Sequence, residues 1–375
     1  MKIENFDNIE IETNSEFIAL KSEEPLTILS SGTLNGGYSA ARTILNLHVD
    51  KDYDHPNSER YLREKAEEME LPAPVIGLMT AAELEDYGKT LLKEKDVAVH
   101  ATVTAGISQP IVSGVTDSYH SMLNTINAIV LVDGDMDSRA MVDAVRTITE
   151  AKSTALRETD IRADEGSRQA SGTPTDSVAV AYTGDGGKID YAGPVTRAGS
   201  LIGKCVRKAC KESLKSCGFN PGRSLAKRLE EREISYDEIL DTAEEAFVKN
   251  PSFEEGDVRK KLEEELEDAF KDANLASLIL SGLRLEEDGK YGLIPNLPNE
   301  VFKSDPVHLL ADEIIGMRIA NYINGSKGIF EFERIDRNKP GILGKLGPFL
   351  DDVIGGLIGG ICSRAYERRN QNENS

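Results

Sequence analysis

A run of helix-breaking residues near the middle of this chain sets how it can fold: Cys217-Gly218-Phe219-Asn220-Pro221-Gly222. Glycine and proline in such a cluster end regular structure, so the run is predicted to separate two folding units. The chain has 375 residues, whereas a single hydrophobic core stops growing near roughly 250 to 300 residues. The sequence therefore predicts two domains, residues 1–220 and residues 229–370.

The charge of the chain limits its partners. Hydrophobic residues make up 39% and charged residues 29% of the sequence, as in ordinary globular proteins. The formal net charge is −21, so the chain repels phosphate backbones and anionic membrane surfaces. No nucleic-acid partner is expected, and an anionic ligand must meet a local basic pocket or a metal ion.

Cysteine usage and the N-terminus predict a cytoplasmic protein. The four cysteines lack CxxC spacing and the density of a disulfide-stapled secreted domain. Met1 to Glu10 lacks the basic and apolar regions of a signal peptide. The longest weakly polar stretch, Gly341 to Cys362, is interrupted by charged residues, whereas a membrane-spanning helix needs about 20 mostly apolar residues. No transmembrane segment is predicted.

The first half alternates short apolar runs with helical patterns, which predicts an α/β domain. The predicted strands are Leu26 to Ser30, Val97 to Thr104, Ala128 to Asp133 and Val178 to Tyr182. Asp137 or Ser138 can cap a helix that runs through Glu158, and a second helix is expected from about Thr196 to Ser216. The Gly184 to Gly187 turn indicates a hairpin, so the sheet is predicted to be mixed.

The second half is predicted to be all-α. An acidic amphipathic stretch runs from Ser235 to Phe270, and a later helix is expected to open with Asp305 as its cap and Pro306 as its first residue.

Several segments of the first domain carry chemistry. The run Ser30 to Gly37 is expected between a strand and a helix, where Asn35, Gly36 and Gly37 can offer an amide and backbone N–H groups to a ligand. Taken alone, the run also fits a tight turn in which Asn35 caps a helix. Further segments follow in order: Thr104 to Ser108, Asn124 to Val130, Thr149 to Lys152 and Ser171 to Asp176.

Together these segments resemble the adenosylcobinamide amidohydrolase family over roughly residues 25 to 215. The resemblance implies hydrolysis of the amide that joins adenosylcobyric acid to aminopropanol. This reaction needs a base or nucleophile, a donor for the oxyanion and an acid for the leaving amine. Glu150 and Asp176 are the candidate bases. The candidate substrate-binding residues are Asn35, Gly36, Gly37, Thr104, Asn127 and Thr173.

Each candidate base has an alternative. Glu150 can form an ion pair with Arg146 at helical spacing, and Asp176 can equally cap the turn that precedes a strand. Lys152 lies two residues from Glu150 on another helical face, so a Glu-Lys pair is not expected. No zinc spacing links His48, His55, His100 and His120, and no cofactor is assigned to this domain.

Two pairs of adjacent carboxylates mark the second domain: Asp312 with Glu313, and Asp351 with Asp352. A hard cation such as Mg2+ binds few carboxylates and keeps positions for water and phosphate, so all four are candidate metal ligands. Asp351 and Asp352 are also candidate catalytic residues. Glycines at Gly355, Gly356, Gly359 and Gly360 would let helices approach closely. Arg337 and Lys339, between the pairs, are candidates for phosphate binding.

This array resembles phosphatidylglycerophosphatase A proteins over roughly residues 235 to 367, including Asp272-Ala273-Asn274-Leu275. That family contains membrane enzymes, and the absence of a predicted spanning segment separates this chain from them. An archaeal branch acts as alpha-ribazole phosphatase, and fusion to a corrinoid amidohydrolase favours that branch. The expected substrates are alpha-ribazole 5'-phosphate or adenosylcobalamin 5'-phosphate.

Two rival interpretations stay open from the sequence. The second domain can instead act on phosphatidylglycerophosphate or another small phosphate ester. The first domain can be a corrinoid-binding module without hydrolytic activity. The sequence does not indicate an oligomeric state.

Overall fold

The structure is a computed structural model that describes residues 2–117, 125–163, 168–248, 257–306 and 308–373. Asn124 and His120, named above, lie outside the described residues. Backbone contacts divide the chain into two compact units, Met1–Arg223 and Ser224–Ser375. Separate hydrophobic cores lie in the two units.

Strands dominate the N-terminal unit. They are β1 (Lys2–Ile3), β2 (Phe6–Thr13), β3 (Phe17–Ser30), β4 (Gly37–His48), β5 (Val75–Thr80), β6 (Gly88–Glu94), β7 (Val97–Ala105), β8 (Ile126–Asp133), β9 (Asp135–Met136), β10 (Arg162–Ala163), β11 (Arg168–Gln169), β12 (Ser177–Tyr182) and β13 (Lys188–Ile189). The helices of this unit are α1 (Ser58–Glu68), α2 (Ser138–Glu158) and α3 (Arg197–Ser216), with a 3-10 turn at Leu84–Asp86.

The large sheet has the strand order β1-β2-β3-β12-β8-β7-β6, and β4 pairs with both β3 and β5. β12 runs parallel to β8 and β4 parallel to β5, whereas β3 is antiparallel to β2, β4 and β12. The predicted α/β fold with a mixed sheet is confirmed.

Successive side chains of the buried strands point to opposite faces of the sheet, and each face has its own hydrophobic core. In β7, Val97, Val99 and Val103 belong to the core that α2 and α3 cover, while Ala98 belongs to the core on the opposite face. The two helices start where their caps predict. The Asp137 side chain accepts from the Arg139 N–H and the Thr196 side chain from the Gly199 N–H.

The run Ser30 to Gly37 differs from the prediction, because it joins two antiparallel strands and no helix follows it. Ser30 pairs with Gly37 across β3 and β4. Asn35 and Gly37 take positive φ angles of 53° and 94°, which suits a tight reversal rather than a helix cap. Buried apolar residues such as Ile44 and Leu45 then continue as β4.

The predicted hairpin at Gly184 to Gly187 is also wrong. The segment leads from β12 to β13, which pairs with β9 in a separate small parallel sheet. Burial explains this path, since Ile189 of β13 and Met136 of β9 both enter the core beneath α2 and α3.

The described part of the C-terminal unit is helical, as predicted. Its helices are α4 (Leu225–Glu230), α5 (Tyr236–Ala246), α6 (Asp257–Lys271), α7 (Ala273–Lys290), α8 (Asn299–Lys303), α9 (Ala311–Asn338) and α10 (Pro348–Glu373), with a 3-10 turn at Gly341–Lys345. The prediction that Asp305 and Pro306 open a helix is wrong, because α9 begins at Ala311. Asp305 has a φ of +44°, whereas an N-cap residue has an extended backbone.

Helix α9 doubles back on itself. Asn324 and Gly325 have non-helical backbone angles, and a Cβ added at Gly328 would lie 2.2 Å from the Ala320 carbonyl oxygen. The two arms of α9 therefore pack against each other. Helix α10 packs equally closely on them, since a Cβ at Gly356 would lie 2.2 Å from the Gly316 carbonyl oxygen. The expected close approach of helices at the glycines is present.

Candidate functional site

A buried ion pair lies at a pocket on the helical face of the N-terminal sheet. Lys152 of α2 donates to Asp176, which immediately precedes β12. Both side chains are largely buried, with exposed fractions of 11% and 15%. The pocket has a volume of about 430 Å³ and both residues line it. Its other walls are mainly apolar side chains of β3, β8, β12 and α2, together with Ser30, Ser31 and Ser177.

Asp176 is held by donors from two directions. Its Oδ1 accepts from the Ile126 N–H at 2.9 Å and from the Thr173 hydroxyl. Its Oδ2 accepts from the Thr173 N–H at 3.1 Å and from the Lys152 ammonium. Asp176 therefore caps the turn before β12, as one alternative expected, and it also holds a lysine at the pocket.

Gly172 allows the loop to pass close to this pair. A Cβ at this position would lie 2.3 Å from Asp176 Oδ2 and 2.8 Å from Lys152 Nζ. Such distances are shorter than real carbon contacts, so an alanine would displace the pair. The present positions of the two charged groups therefore depend on the absence of a side chain at residue 172.

Glu150 is not part of this cluster. Its side chain is 56% exposed and its Oε1 lies 4.0 Å from Arg146 Nε, in agreement with the expected ion-pair alternative. It lines a separate polar groove of about 530 Å³, which shares only Thr149 with the pocket at Lys152. The structure therefore separates the two candidate bases.

Thr104 and Asn127 belong to a buried polar network on the other side of the sheet. Asn127 Nδ2 donates to Asn46 Oδ1 and to the Met79 carbonyl oxygen, each at 2.7 Å. Asn46 Nδ2 donates to the Thr104 hydroxyl at 3.0 Å. The Thr125 hydroxyl lies between this network and the site loop, 3.1 Å from Asn127 Oδ1 and 2.7 Å from the Thr175 carbonyl oxygen. Neither Thr104 nor Asn127 lines the pocket.

The Asn35 turn also lies outside the pocket wall. Asn35 Nδ2 donates to the Val75 carbonyl oxygen at 2.8 Å, and a Cβ at Gly36 would lie 2.3 Å from the Gly32 carbonyl oxygen. These residues and Gly37 shape the β3–β4 connection. Ser30 and Ser31 of the same run do line the pocket.

A second candidate site is formed by aspartates in the C-terminal unit. Asp312, Asp351 and Asp352 are all buried. Burial raises the pKa of Asp312 and of Asp351 to about 6 each. Burial, and then the negative charges of Asp351, Asp336 and Asp312, raise the pKa of Asp352 well above its usual range. These carboxylates repel one another in a site that supplies little compensating charge.

Lys339 brings one cation to this aspartate cluster. It forms an ion pair with Asp351, and its Nζ lies 3.5 Å from Asp305 Oδ2. Arg337, predicted beside it, is 74% exposed and pairs with Glu333. Glu313 is exposed; its backbone N–H donates to the Asp312 carboxylate, and its negative charge adds to the effect of burial in raising the pKa of Asp312.

Carboxylate oxygens suit a hard cation, and the mutual repulsion of these aspartates fits a bound positive charge. Among the described residues, however, no three His, Cys, Asp or Glu side chains are grouped tightly enough to hold an ion. The type of donor therefore fits Mg2+, whereas the spacing of Asp312, Asp351 and Asp352 does not by itself form an ion site.

Sequence reasoning did not select Lys152, Asp336, Ser30 or Ser31 as site residues. Lys152 and Ser30–Ser31 lay inside motif segments that were identified, but their partners come from distant parts of the chain. Asp336 precedes Arg337 in the sequence between the two acidic pairs, and the reversal of α9 brings it to Asp352. The signal that the sequence offered was a further acidic residue, Asp336, between the two acidic pairs.

Comparison with known proteins assigns the N-terminal unit. Residues 2–218 match the family described as adenosylcobinamide amidohydrolase, which is more than half of the 375 residues. The chain belongs to this family. An adenosylcobinamide amidohydrolase of Methanosarcina mazei is 31% identical over 194 residues, which are 49% of this chain and 88% of that protein.

This adenosylcobinamide amidohydrolase family member carries a second domain, because residues 269–367 match phosphatidylglycerophosphatase A. The uncharacterized protein MJ1330 of Methanocaldococcus jannaschii is 40% identical over 114 residues, 29% of this chain and 87% of that protein. The low temperature requirement C protein from Listeria monocytogenes is 25% identical in sequence and covers 39% of this chain and 94% of its own, with a TM-score of 0.35.

Both expected family resemblances are confirmed, and the two domains make the chain a hydrolase. In the part of the chain that the structure describes, no helix has the length and apolar character needed to cross a membrane.

Proposed function

We propose that the N-terminal unit hydrolyses adenosylcobinamide to adenosylcobyric acid and aminopropanol. Its family membership supports an amide substrate of this kind. The observation that carries the proposal is the Lys152–Asp176 pair at a largely apolar pocket of about 430 Å³. A charged pair at an apolar pocket can orient an amide through hydrogen bonds and stabilise the charge that develops on it, because little water competes for these groups.

We further propose that the C-terminal unit is a Mg2+-dependent phosphatase of alpha-ribazole 5'-phosphate or adenosylcobalamin 5'-phosphate. Two observations support it: the match to a phosphatase family and the buried aspartate cluster. The amidohydrolase domain in the same chain favours a substrate from corrinoid chemistry over a phospholipid.

The residues that would hold Mg2+ are Asp312, Asp351 and Asp352. When bound, the ion supplies positive charge that neutralises phosphate oxygens and orients a water molecule. The side chain of Asp336 forms a hydrogen bond with that of Asp352, and its negative charge adds to that of the cluster. Lys339, which pairs with Asp351, would contact a phosphate oxygen.

A two-substrate assay tests both proposals. The purified chain is incubated with adenosylcobinamide and with alpha-ribazole 5'-phosphate, each with and without Mg2+. Release of adenosylcobyric acid and Mg2+-dependent release of phosphate are expected. An intact amide after prolonged incubation would indicate a binding module, and Mg2+-independent phosphate release would contradict the metal assignment.

The aspartates provide a sharper test of the second site. Asp351→Asn and Asp352→Asn replace anionic oxygens with neutral amides of nearly equal size, so they should lower phosphatase turnover at limiting Mg2+ by at least about a hundredfold. Asp288→Asn changes an exposed aspartate of α7 in the same unit and should leave turnover unchanged. Near-normal turnover of both site variants would remove this cluster from the phosphatase reaction.

A further inference from the structure

We infer that Lys152, rather than a carboxylate, acts directly on the scissile amide by donating hydrogen bonds to its carbonyl oxygen, and that Asp176 is a positioning residue. This inference rests on the proposed amide hydrolysis. It assigns different roles to two residues that stand side by side in the pocket.

The hydrogen bonds of Asp176 leave it little capacity to act as a base. An ionised carboxylate offers about four lone-pair positions. Asp176 uses them for Ile126 N–H, Thr173 N–H, the Thr173 hydroxyl and Lys152. A proton taken from water would have to displace one of these donors. Asp176 is therefore better suited to fix its neighbours than to accept a proton.

Lys152, in contrast to Asp176, has more hydrogen-bonding capacity than it uses within the protein. An ammonium group has three N–H donors, and among the described residues Lys152 makes one hydrogen bond, the bond to Asp176. Its side chain lines the pocket and is only 11% exposed. Two donors thus remain for a ligand, in surroundings where water competes weakly and a charge-assisted bond is strong.

The ionisable groups of the pocket narrow the choice further. Among the described residues that line it, Lys152 and Asp176 are the only ones with ionisable side chains. Glu150 faces the neighbouring groove and pairs with Arg146. Among the described residues of this pocket, the positive charge available to a developing oxyanion is therefore that of Lys152.

The role assigned to Lys152 requires no change in its protonation. Hydrolysis adds one water molecule across the amide: the hydroxyl group bonds to the carbonyl carbon, the C–N bond breaks, and the proton ends on the amine. Negative charge develops on the carbonyl oxygen in between. Lys152 would stabilise that charge with its two remaining N–H groups, while Asp176 keeps the ammonium in place.

Activity of the full chain on adenosylcobinamide tests this division of roles. Lys152→Met should lower kcat by at least about a hundredfold, as expected for loss of an oxyanion donor, and Asp176→Asn should lower it less. Lys208→Met, on the exposed side of α3, is the matched control and should keep full turnover. Adenosylcobyric acid is measured chromatographically, so that added amines do not interfere.

Chemical rescue separates a direct role from a structural one. In Lys152→Ala the removed atoms correspond to propylamine, so propylammonium should restore kcat at least about tenfold in a saturable manner, whereas 1-propanol should not. Since Lys152→Met and Lys152→Ala both leave Asp176 without its counter-charge, Lys152→Met/Asp176→Asn is measured alongside them. This neutral double variant should fold and stay as inactive as Lys152→Met.

Three results would overturn the inference. They are a folded Lys152→Met that keeps more than a tenth of the turnover, a neutral double variant that does so, and an Asp176→Asn that is more severely affected than Lys152→Met. In each case the wild-type chain would still hydrolyse adenosylcobinamide. A wild-type chain that released no adenosylcobyric acid would instead refute the proposed function and the role of Lys152 with it.

Discussion

His100 is a buried histidine of strand β7 in the large sheet. Burial, with a smaller effect from the positive charge of Lys89, lowers the pKa of His100 to about 4. The unfolded chain takes up this proton as the pH falls through about 6.5, whereas the folded chain takes it up only near 4. The contribution of His100 to the free energy of unfolding is therefore fully present above pH 6.5. It is lost, by up to about 3 kcal/mol in total, as the pH falls from 6.5 to 4.

His100→Gln should remove this component of the pH dependence, because glutamine does not titrate. The thermal transition of the N-terminal unit is measured by calorimetry at pH 7 and pH 4.5 for both proteins. The wild type should lose more stability than the variant on acidification. An equal loss in both, or an NMR titration of the His100 ring near pH 6.5, would contradict the expectation.

Gly172 offers a test of the pocket geometry without a change in any functional group. Gly172→Ala should displace Lys152 and Asp176, because its Cβ would overlap both. A displacement of about 1 Å at a reacting group can reduce turnover about a hundredfold, so kcat on adenosylcobinamide should fall by about ten- to a hundredfold. Unchanged kcat in a folded variant would mean that the pair does not position the amide.

At the scale of single residues, the sequence predicted neighbours along the chain better than partners across it. Helical spacing correctly separated Lys152 from Glu150, but the actual partner, Asp176, lies 24 residues away in sequence. That contact depends on how the loop before β12 folds over α2. Asp351 and Asp352 could be paired because they are adjacent, whereas Asp336 meets Asp352 only through tertiary structure.

Helix α3 contains two glycines that should respond in opposite ways to alanine. A Cβ at Gly203 would have its nearest contact at 3.7 Å, with Thr147, whereas a Cβ at Gly199 would lie 1.9 Å from the Gly193 carbonyl oxygen. Gly203→Ala should raise the free energy of unfolding by about 0.5–1 kcal/mol, and Gly199→Ala should lower it by about 1–3 kcal/mol.

Denaturant unfolding of the N-terminal unit checks this pair, with each variant serving as the control for the other. An increase in the free energy of unfolding for both variants would show that helix propensity, rather than contact with the backbone at Gly193, governs this helix. Gly203→Ala should also retain amidohydrolase turnover, which makes it the matched comparison for Gly172→Ala.

At the scale of elements, helices and strands with a clear local pattern were predicted, and those without one were missed. Asp137 and Thr196 form local caps that mark where α2 and α3 begin. β4 was not predicted, because buried polar residues such as Thr43 and Asn46 interrupt its apolar pattern. Their hydrogen bonds reach Pro72 and Thr104, and such distant partners are not visible in a local pattern.

At the scale of the whole molecule, the division at Arg223 and Ser224 suggests that each activity depends on one unit. Residues 1–223 and 224–375, expressed separately, should each keep kcat within about threefold of the full chain on adenosylcobinamide and alpha-ribazole 5'-phosphate, respectively, because a domain with its own core can fold alone. Loss of one activity in a folded fragment, with recovery on mixing, would show that the site needs both units.

Because α9 reverses at Asn324 and Gly325, the aspartate cluster depends on the number of residues in each arm of the helix more than on which exposed residues the arms contain. Asp312 and Asp336 lie near opposite ends of α9, yet both act on Asp352 because the two arms run side by side. One inserted residue in either arm would turn the following side chains by about 100° and advance them by about 1.5 Å. The aspartate beyond it would then leave the cluster. Related chains that keep this chemistry should therefore vary freely in the exposed residues of the arms while conserving the number of residues between Asp312, the reversal and Asp336.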